Sequence, residues 1–372
     1  MPIKVLIAFN RDSYTNPYVS TLADGLIGEG CNVTCSIDEI WQNAIAYDVV
    51  HVQCPNLFAD KMGEHGEILE NVLKELKEKH IPIVVTLHNL VPHSSQNTKQ
   101  QMAYKIVFNY ADCFIHMGTA SIDLLKEKWP NIKAEHFVVF HHTYDALYDM
   151  NRDKLESRKK LGIPSNVKCI LCFGKFRNDE ERNLIINLRK KLDSSYYFLL
   201  PGFYYESLSF SWKNILHEIR PLIAIIRDTI KYTIIAKKYR LHISHKYISD
   251  EDLPVYLSAA EVLIVQRLKI LNSGNVSLAM HAGLPVVGPN VGNVGWMLKK
   301  TGNPCFDVNN LDEFSNVVKS ALLQEKLGEL NKTFAKDCLS TKTISQQTKN
   351  VYEKMRMKFQ QKNKKGLLNG EG

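Results

Sequence analysis

Short apolar runs and amphipathic stretches alternate along the first 150 residues. Residues 3–9 are apolar and β-branched, which predicts a strand, and residues 64–79 carry apolar side chains three and four positions apart, which predicts a helix. Further strands are predicted at 33–37, 47–52, 81–87, 113–117 and 137–140, and further helices at 19–29, 99–110 and 121–129. The apolar runs lack a clean period of two, so we expect strands that are buried on both faces.

The same alternation restarts in the second half of the chain. Strands are predicted at 168–173, 196–200, 262–265 and 285–288, and helices at 182–192, 253–260 and 276–282. The pattern predicts an α/β fold with two doubly wound, Rossmann-like domains. The expected boundaries are an N-terminal domain at 1–150, a crossover at 151–165, a C-terminal domain at 166–345, a helix at 346–362 and a disordered tail at 363–372.

Composition narrows the class of protein. The 372 residues are 45% hydrophobic and 23% charged, which excludes disorder, collagen or coiled coil as the main state. Eight scattered cysteines predict free thiols rather than a disulfide scaffold. The sequence shows neither a signal peptide nor an apolar run of about 18 residues, so we expect a cytoplasmic protein.

The formal net charge of +8 is concentrated in one segment. Residues 203–246 hold eight basic and three acidic residues, and helical spacing places five isoleucines on one stripe, namely Ile219, Ile223, Ile226, Ile230 and Ile234. One interpretation is a helix that lies on an anionic membrane surface, peripheral to the membrane; the other is a helix pair packed on its domain with a solvated basic face. Because the cations lack interleaved aromatic and basic motifs, we expect no nucleic-acid partner.

Candidate chemistry follows the predicted strands, because parallel sheets bind ligands at the carboxyl ends of their strands. His88 follows the strand at 81–87, where an imidazole can hydrogen-bond a sugar; the alternative is a turn histidine bonded locally. Gly174, Lys175 and Arg177 follow the strand at 168–173, and Arg182 lies a little further on. Glycine admits close approach and guanidinium binds phosphate oxygens, so this loop predicts a diphosphate site; the alternative is a solvated charge cluster.

A helix start supplies a second phosphate candidate. Ser273 and Gly274 open the helix at 276–282, where a serine can cap the helix and exposed N–H groups attract phosphate. An ordinary N-cap is the alternative. No metal site is expected, since Asp250-Glu251-Asp252 lies where a helix begins and carboxylates favour that end of the dipole.

Five blocks of sequence together resemble GT-B glycosyltransferases, in particular those of family 4. The blocks are IPIVVTLHNLVPHS at 81–94, HHTYDALYDMNRDKLESRKKLGIP at 141–164, ILCFGKFRNDEERNLIINL at 170–188, YISDEDLPVYLSAAEVLIVQ at 247–266 and NSGNVSLAMHAGLPVVGPNVGNV at 272–294. The resemblance implies two domains facing a cleft and a hexosyltransferase. Such an enzyme moves a sugar from a nucleoside diphosphate sugar to a glycan or lipid-linked glycan, in capsule or exopolysaccharide biosynthesis. It would retain the anomeric configuration and need no metal or other cofactor.

The resemblance also implies roles for individual residues. His88 would contact the donor sugar as the catalytic residue. The donor diphosphate would meet Lys175, Arg177, Arg182, Ser273 and Gly274. The donor sugar or ribose would lie near Asn275, Asn290, Gly292 and Asn293.

Two departures from the family pattern keep other functions open. The glutamate pair that many members carry falls on Leu278 and near Ile270, and the N-terminal loop at 10–18 is not rich in glycine. The alternatives are a non-catalytic sugar-nucleotide-binding subunit that supports a partner transferase, and a GT-B sugar-nucleotide epimerase.

Overall fold

A computed structural model describes residues 1–11, 16–92, 97–203, 215–244 and 248–369. The chain divides into two compact units. Unit 1 consists of Met1–Leu147 and Lys336–Gly372, and unit 2 consists of Tyr148–Ala335.

The sheet of unit 1 has six parallel strands. They are β1 (Lys4–Ala8), β2 (Asn32–Cys35), β3 (Val49–Val52), β4 (Ile83–Thr86), β5 (Cys113–His116) and β6 (Glu135–Val138). Their order is β2-β1-β3-β4-β5-β6, so the direction in which strands are added reverses between β1 and β3. Strands β3, β4 and β5 are buried throughout, including their polar residues His51, Thr86 and His116, as the lack of a clean period of two predicts.

Helices cover this sheet along apolar stripes. They are α1 (Tyr18–Gly28), α2 (Glu39–Gln42), α3 (Glu67–Glu78), α4 (Thr98–Tyr110) and α5 (Ala120–Lys128). In α3 the buried residues are Leu69, Leu73 and Leu76, which are four and three positions apart.

Unit 2 repeats the architecture with strands β7 to β12. They are β7 (Lys168–Leu171), β8 (Tyr196–Pro201), β9 (Leu241–Ser244), β10 (Val262–Ile264), β11 (Val286–Pro289) and β12 (Cys305–Phe306). All six are parallel in the order β12-β11-β10-β7-β8-β9, and the direction of winding reverses between β7 and β10. Both sheets are therefore doubly wound, which confirms the predicted fold class.

The helices of unit 2 follow its strands along the chain. They are α6 (Lys154–Leu161), α7 (Asp179–Lys191), α8 (Ile215–Tyr239), α9 (Leu253–Ala259), α10 (Gly274–His281), α11 (Gly292–Lys300), α12 (Phe314–Leu323) and α13 (Leu327–Cys338). The last helix, α14 (Thr341–Asn369), belongs to unit 1 and packs on α1.

The unit boundaries differ from the expected ones. The stretch expected as a crossover belongs to unit 2, because Arg158 on α6 is buried and its guanidinium binds the Glu261 carboxylate and the Ala259 carbonyl. At the other end, unit 2 stops at Ala335 rather than 345. Helix α14 then continues to Asn369, past the expected start of a tail at 363.

The basic segment at 203–246 contains helix α8 and strand β9. The β8–α8–β9 stretch is a parallel βαβ crossover that adds an edge strand to the sheet, so the described part keeps the regular α/β pattern. Helix α8 buries Tyr232 and Ala236, whereas Ile226, Ile230 and Ile234 are exposed. Residues 204–214 and 245–247 of this segment lie outside the described residues. Within the described ranges, no helix combines the length and the apolar character needed to cross a bilayer.

Candidate functional site

In unit 2, the loop after β7 lies at the point where the winding of the sheet reverses. Gly174 has a φ of +94° and Gly202, just after β8, has a φ of +80°. A Cβ on Gly202 would stand 3.0 Å from the Gly174 carbonyl oxygen, so the two backbones approach too closely for a larger residue. Lys175 and Arg177 are exposed on this loop.

The start of α7 fixes the conformation of this loop. The Asn178 side chain caps the helix by accepting from the Glu181 N–H at 3.0 Å. The buried Glu181 carboxylate in turn accepts from the backbone N–H of Arg177 at 2.8 Å. Both contacts hold the backbone, and they leave the Arg177 guanidinium at the surface, as an anion-binding role requires.

Arg182 has a different environment from the one expected of a diphosphate ligand. It is buried, and its guanidinium donates to the carbonyls of Phe203 at 3.1 Å and Phe176 at 3.4 Å. It also pairs with Asp179 at 3.2 Å and lies 5.4 Å from the ring centre of Tyr232. These contacts favour a structural role for Arg182 in holding the loop, in place of the predicted contact with phosphate.

The start of α10 is attached to the glycine loop. The Asn275 amide donates to the Phe173 carbonyl at 2.8 Å, which brings Ser273 and Gly274 to the same sheet edge as Gly174. Ser273 is the N-cap residue, and its side chain makes no capping hydrogen bond. Asn275 is thus a positioning residue between two elements that the sequence assigned separately to phosphate.

The glycine turn after β11 packs on the loop before α10. Gly292 has a φ of +54°, and a Cβ there would lie 2.7 Å from the Ile270 carbonyl oxygen. Asn293 is buried, and its amide donates to Asn272 Oδ1 at 2.8 Å. These two residues shape the loop. Asn290 is exposed at the end of β11.

Two residues of this edge escaped the sequence analysis. Gln266 and Arg267 lie two and three residues after the end of β10, on the other side of the reversal point from Gly174. Arg267 donates to the Lys175 carbonyl at 3.4 Å, and burial together with the nearby Arg177 lowers its pKa to about 10. Within the described part of the chain, the buried Arg267 Nη1 and Gln266 Nε2 have no hydrogen-bond partner. Their place after a strand was the signal that could have identified them.

In unit 1, His88 lies at the carboxyl edge of the sheet beside a polar network. Its Nε2 donates to Gln53 Oε1 at 2.8 Å, and the Gln53 amide donates to His51 Nε2 at 3.1 Å. His51 Nδ1 bonds the Tyr352 hydroxyl of α14 at 2.5 Å. Burial lowers the pKa of His88 to about 4 and that of His51 to about 3, so both imidazoles are neutral at pH 7. Gln53, which follows β3, was not predicted.

Tyr18 packs against His88 and joins it to further rings. Tyr18 meets it edge to face at 5.2 Å and stacks on His142 at 4.7 Å, with the planes 4° apart. His142 Nε2 donates to the Tyr18 carbonyl at 3.0 Å, and burial lowers the pKa of His141 to about 3 and that of His142 to about 4. Tyr144 has a φ of +60°, a conformation that costs energy for a residue with a side chain. This edge offers neutral hydrogen-bond donors and acceptors, which suit hydroxyl groups.

The acidic triplet has partners of its own. Asp250 accepts from the Tyr148 hydroxyl at 2.8 Å, and Asp252 pairs with Lys160 at 2.7 Å. Asp252 occupies the N-cap position of α9, but its side chain does not cap that helix. Across the described ranges, no three His, Cys, Asp or Glu side chains cluster closely enough to hold a metal ion.

A comparison of sequences finds a glycosyltransferase that is similar to this chain. The chain is 22% identical over 294 residues to the GDP-mannose:glycolipid 4-beta-D-mannosyltransferase of Xanthomonas campestris pv. campestris, a match that covers 77% of this chain and 74% of the relative. No family model matches the chain.

Solved structures resemble it over nearly its whole length. Sucrose-phosphate synthase from Thermosynechococcus elongatus superposes with a TM-score of 0.68 at 16% identity, covering 95% of this chain and 99% of that one. Anabaena HepE in complex with UDP gives a TM-score of 0.66 at 14% identity, covering 95% and 100%. The resemblance to GT-B glycosyltransferases seen in the motifs is confirmed, and the two doubly wound units are those of the GT-B fold.

Proposed function

We propose that the chain is a hexosyltransferase that moves a sugar from a nucleoside diphosphate sugar to a hydroxyl of a glycan or lipid-linked glycan. The observation that carries the proposal is the pair of exposed cations, Lys175 and Arg177, beside Gly174 where the sheet of unit 2 reverses. Open α/β sheets bind ligands at that point. The UDP bound to the similar HepE is consistent with such a ligand.

The chemistry needs stabilisation of a leaving group. When the bond between the anomeric carbon and the diphosphate oxygen breaks, the electron pair leaves with the diphosphate. The acceptor oxygen forms the new bond to the anomeric carbon, and its proton passes to the departing diphosphate oxygen. In this proposal, Lys175, Arg177 and the first N–H groups of α10 oppose the charge that develops on the diphosphate. We further propose that transfer retains the anomeric configuration and requires no metal.

For unit 1, we propose that His88 hydrogen-bonds a sugar hydroxyl as a neutral imidazole. Gln53 orients the ring, and the lowered pKa keeps it uncharged at physiological pH. The proposal includes a role in polysaccharide biosynthesis and, for a lipid-linked acceptor, a peripheral position at the cytoplasmic face of a membrane.

Donor turnover tests the proposal. Purified protein is incubated with UDP-, GDP- and dTDP-sugars, with and without Mg²⁺, and released nucleotide is measured. We expect release from one donor in both conditions. Arg177→Ala should lower the release at least about tenfold, whereas Arg152→Ala, at an exposed arginine elsewhere in unit 2, should not.

The other outcomes separate the alternatives. Binding without release, weakened by Arg177→Ala, would favour a non-catalytic sugar-nucleotide-binding subunit. Conversion of one sugar nucleotide into another would favour an epimerase. The absence of both nucleotide binding and nucleotide release would refute the diphosphate site. The configuration of the product, read by NMR, decides between retention and inversion.

A further inference from the structure

Helix α8 carries an apolar stripe on its outer face. The exposed fractions of Ile226, Ile230 and Ile234 are 51%, 56% and 62%. Because they are four positions apart, they follow one another along successive turns of the same face. Large aliphatic side chains grouped in this way mark an interaction surface more often than a solvated one.

The rotation of α8 about its axis is fixed, so the stripe cannot turn inward. Tyr232 is buried on the opposite face, donates to Asp179 at 2.7 Å and meets the ring of Phe203 edge to face at 5.5 Å. Ala236, one turn further on, is also buried in the core of unit 2.

Cations flank the stripe. Residues 226–240 contain five basic residues and one acidic residue, a net charge of 5 − 1 = +4. The acidic residue, Asp228, is paired with Arg227 at 3.0 Å. Lys237 and Lys238 are exposed at the end of the helix, beyond Ile234. A partner for this face therefore needs an apolar region that accepts the isoleucine side chains, together with negative charge beside it.

We propose that this face of α8 binds the surface of an anionic phospholipid bilayer. The isoleucines would enter the boundary between headgroups and acyl chains, and the lysines would meet the lipid phosphates. The inference rests on the proposed function, which supplies the lipid-linked acceptor. It deepens that function by naming the surface through which the protein would contact the membrane that holds the acceptor.

Vesicle co-sedimentation of the full chain, without any sugar nucleotide, tests the inference. The probes are phosphatidylcholine vesicles with and without phosphatidylglycerol. We expect binding to the anionic vesicles that weakens as salt is raised. The triple variant Ile226→Ser, Ile230→Ser, Ile234→Ser should lower the partition coefficient at least about thirtyfold, since each isoleucine leaves the apolar boundary.

Matched controls come from the same unit. Serine at three exposed leucines, Leu155, Leu323 and Leu330, whose exposed fractions are 64%, 74% and 62%, should leave binding unchanged. Lys237→Gln with Lys238→Gln should weaken binding about tenfold or more, whereas Lys299→Gln with Lys300→Gln, an exposed pair on α11, should not.

The remaining outcomes overturn the inference. Equal binding by the wild type and the isoleucine variant, or no binding by the wild type, would refute it. A dimer that the isoleucine variant converts to a monomer would assign the face to a second copy of the chain instead. Because donor release is measured without vesicles, its loss with intact vesicle binding would refute the proposed function alone.

Discussion

The carboxyl edges of the two sheets carry different chemistry on the same architecture. In unit 1, His88, His141 and His142 are kept neutral by burial, and they are linked to tyrosine and glutamine side chains. In unit 2, Lys175, Arg177 and Arg267 bring positive charge to the corresponding edge. Neutral groups that both donate and accept suit hydroxyls, whereas a cationic edge suits a diphosphate. The contrast shows that the same sheet architecture can present different chemical groups at the carboxyl ends of its strands.

The largest expected effect is a loss of kcat when a hydrogen-bonding group is removed from the carboxyl edge of the unit 1 sheet. His88→Ala should lower kcat about a hundredfold, since it removes an oriented hydrogen-bonding group, while nucleoside diphosphate affinity stays unchanged. Steady-state turnover and calorimetric titration measure the two quantities. His65→Ala, an exposed histidine of unit 1, is the control. Equal turnover by His88→Ala and wild type would remove His88 from the mechanism.

Arg182 and Arg177 should separate stability from binding at the cationic edge. Arg182→Met leaves two buried carbonyls without their donor and should lower the free energy of unfolding by about 2–3 kcal/mol. Arg177→Met, at an exposed position, should change it by less than about 0.5 kcal/mol and yet weaken diphosphate binding. Urea denaturation and calorimetric titration test the pair. The reverse pattern would restore Arg182 as the phosphate ligand.

Two glycines in unit 2 test how closely the loops of that edge approach. Gly292 and Gly302 both have positive φ, but a Cβ would meet the Ile270 carbonyl only at Gly292 and nothing within 4 Å at Gly302. Gly302→Ala should cost about 1 kcal/mol of strain. Gly292→Ala should cost about 2 kcal/mol more and reduce donor turnover. Similar unfolding midpoints for the two variants would contradict the close approach.

Lowering the pH should reduce the free energy of unfolding of unit 1, because its buried histidines are neutral in the folded state. Burial lowers the pKa of His51 to about 3 and that of His142 to about 4, and both are fully buried. The unfolded chain takes up these protons below about pH 6.5, whereas the folded chain does not. Stability is therefore complete above pH 6.5 and falls as the pH drops toward 4. Each histidine should contribute a loss of about 1 kcal/mol between pH 7 and 5.5.

Urea titrations at several pH values measure this dependence. His142→Phe keeps a ring on Tyr18 and removes one titrating group, so its stability should change less with pH than that of the wild type. An identical slope for the two proteins would show that His142 does not titrate as burial requires.

The smallest expected effect is a change in the free energy of unfolding on replacing Arg267, with the opposite sign from the change expected on replacing Arg182. The guanidinium of Arg267 is half-buried, lies near Arg177 and makes one long hydrogen bond. Removing an incompletely paired charge is often neutral or stabilising. Arg267→Met should therefore leave the free energy of unfolding unchanged or raise it by up to about 1 kcal/mol. A clear loss of stability would place Arg267 with Arg182 among the structural arginines.

The architecture could be predicted from local patterns, because strands buried on both faces and amphipathic helices each have a characteristic pattern within a short window of sequence. The loop at 174–178 was accessible for the same reason, since glycine, lysine and arginine directly follow a strand. The roles of Arg182 and Asn293 were not, because burial depends on contacts with Phe203 and Asn272 that are distant in the chain. The rotation of α8 was left open between two interpretations, because an isoleucine stripe suits a core face as well as an interaction surface until Tyr232 is seen to occupy the interior.

Helix α14 has a consequence for how the molecule is made. Unit 2 is one continuous stretch, whereas the core of unit 1 includes Tyr352 and Phe359 from the last part of the chain. A ribosome therefore releases every residue of unit 2 before it completes unit 1. The His51 network stays open until Tyr352 emerges and bonds it. During synthesis, the unit begun first is the one finished last.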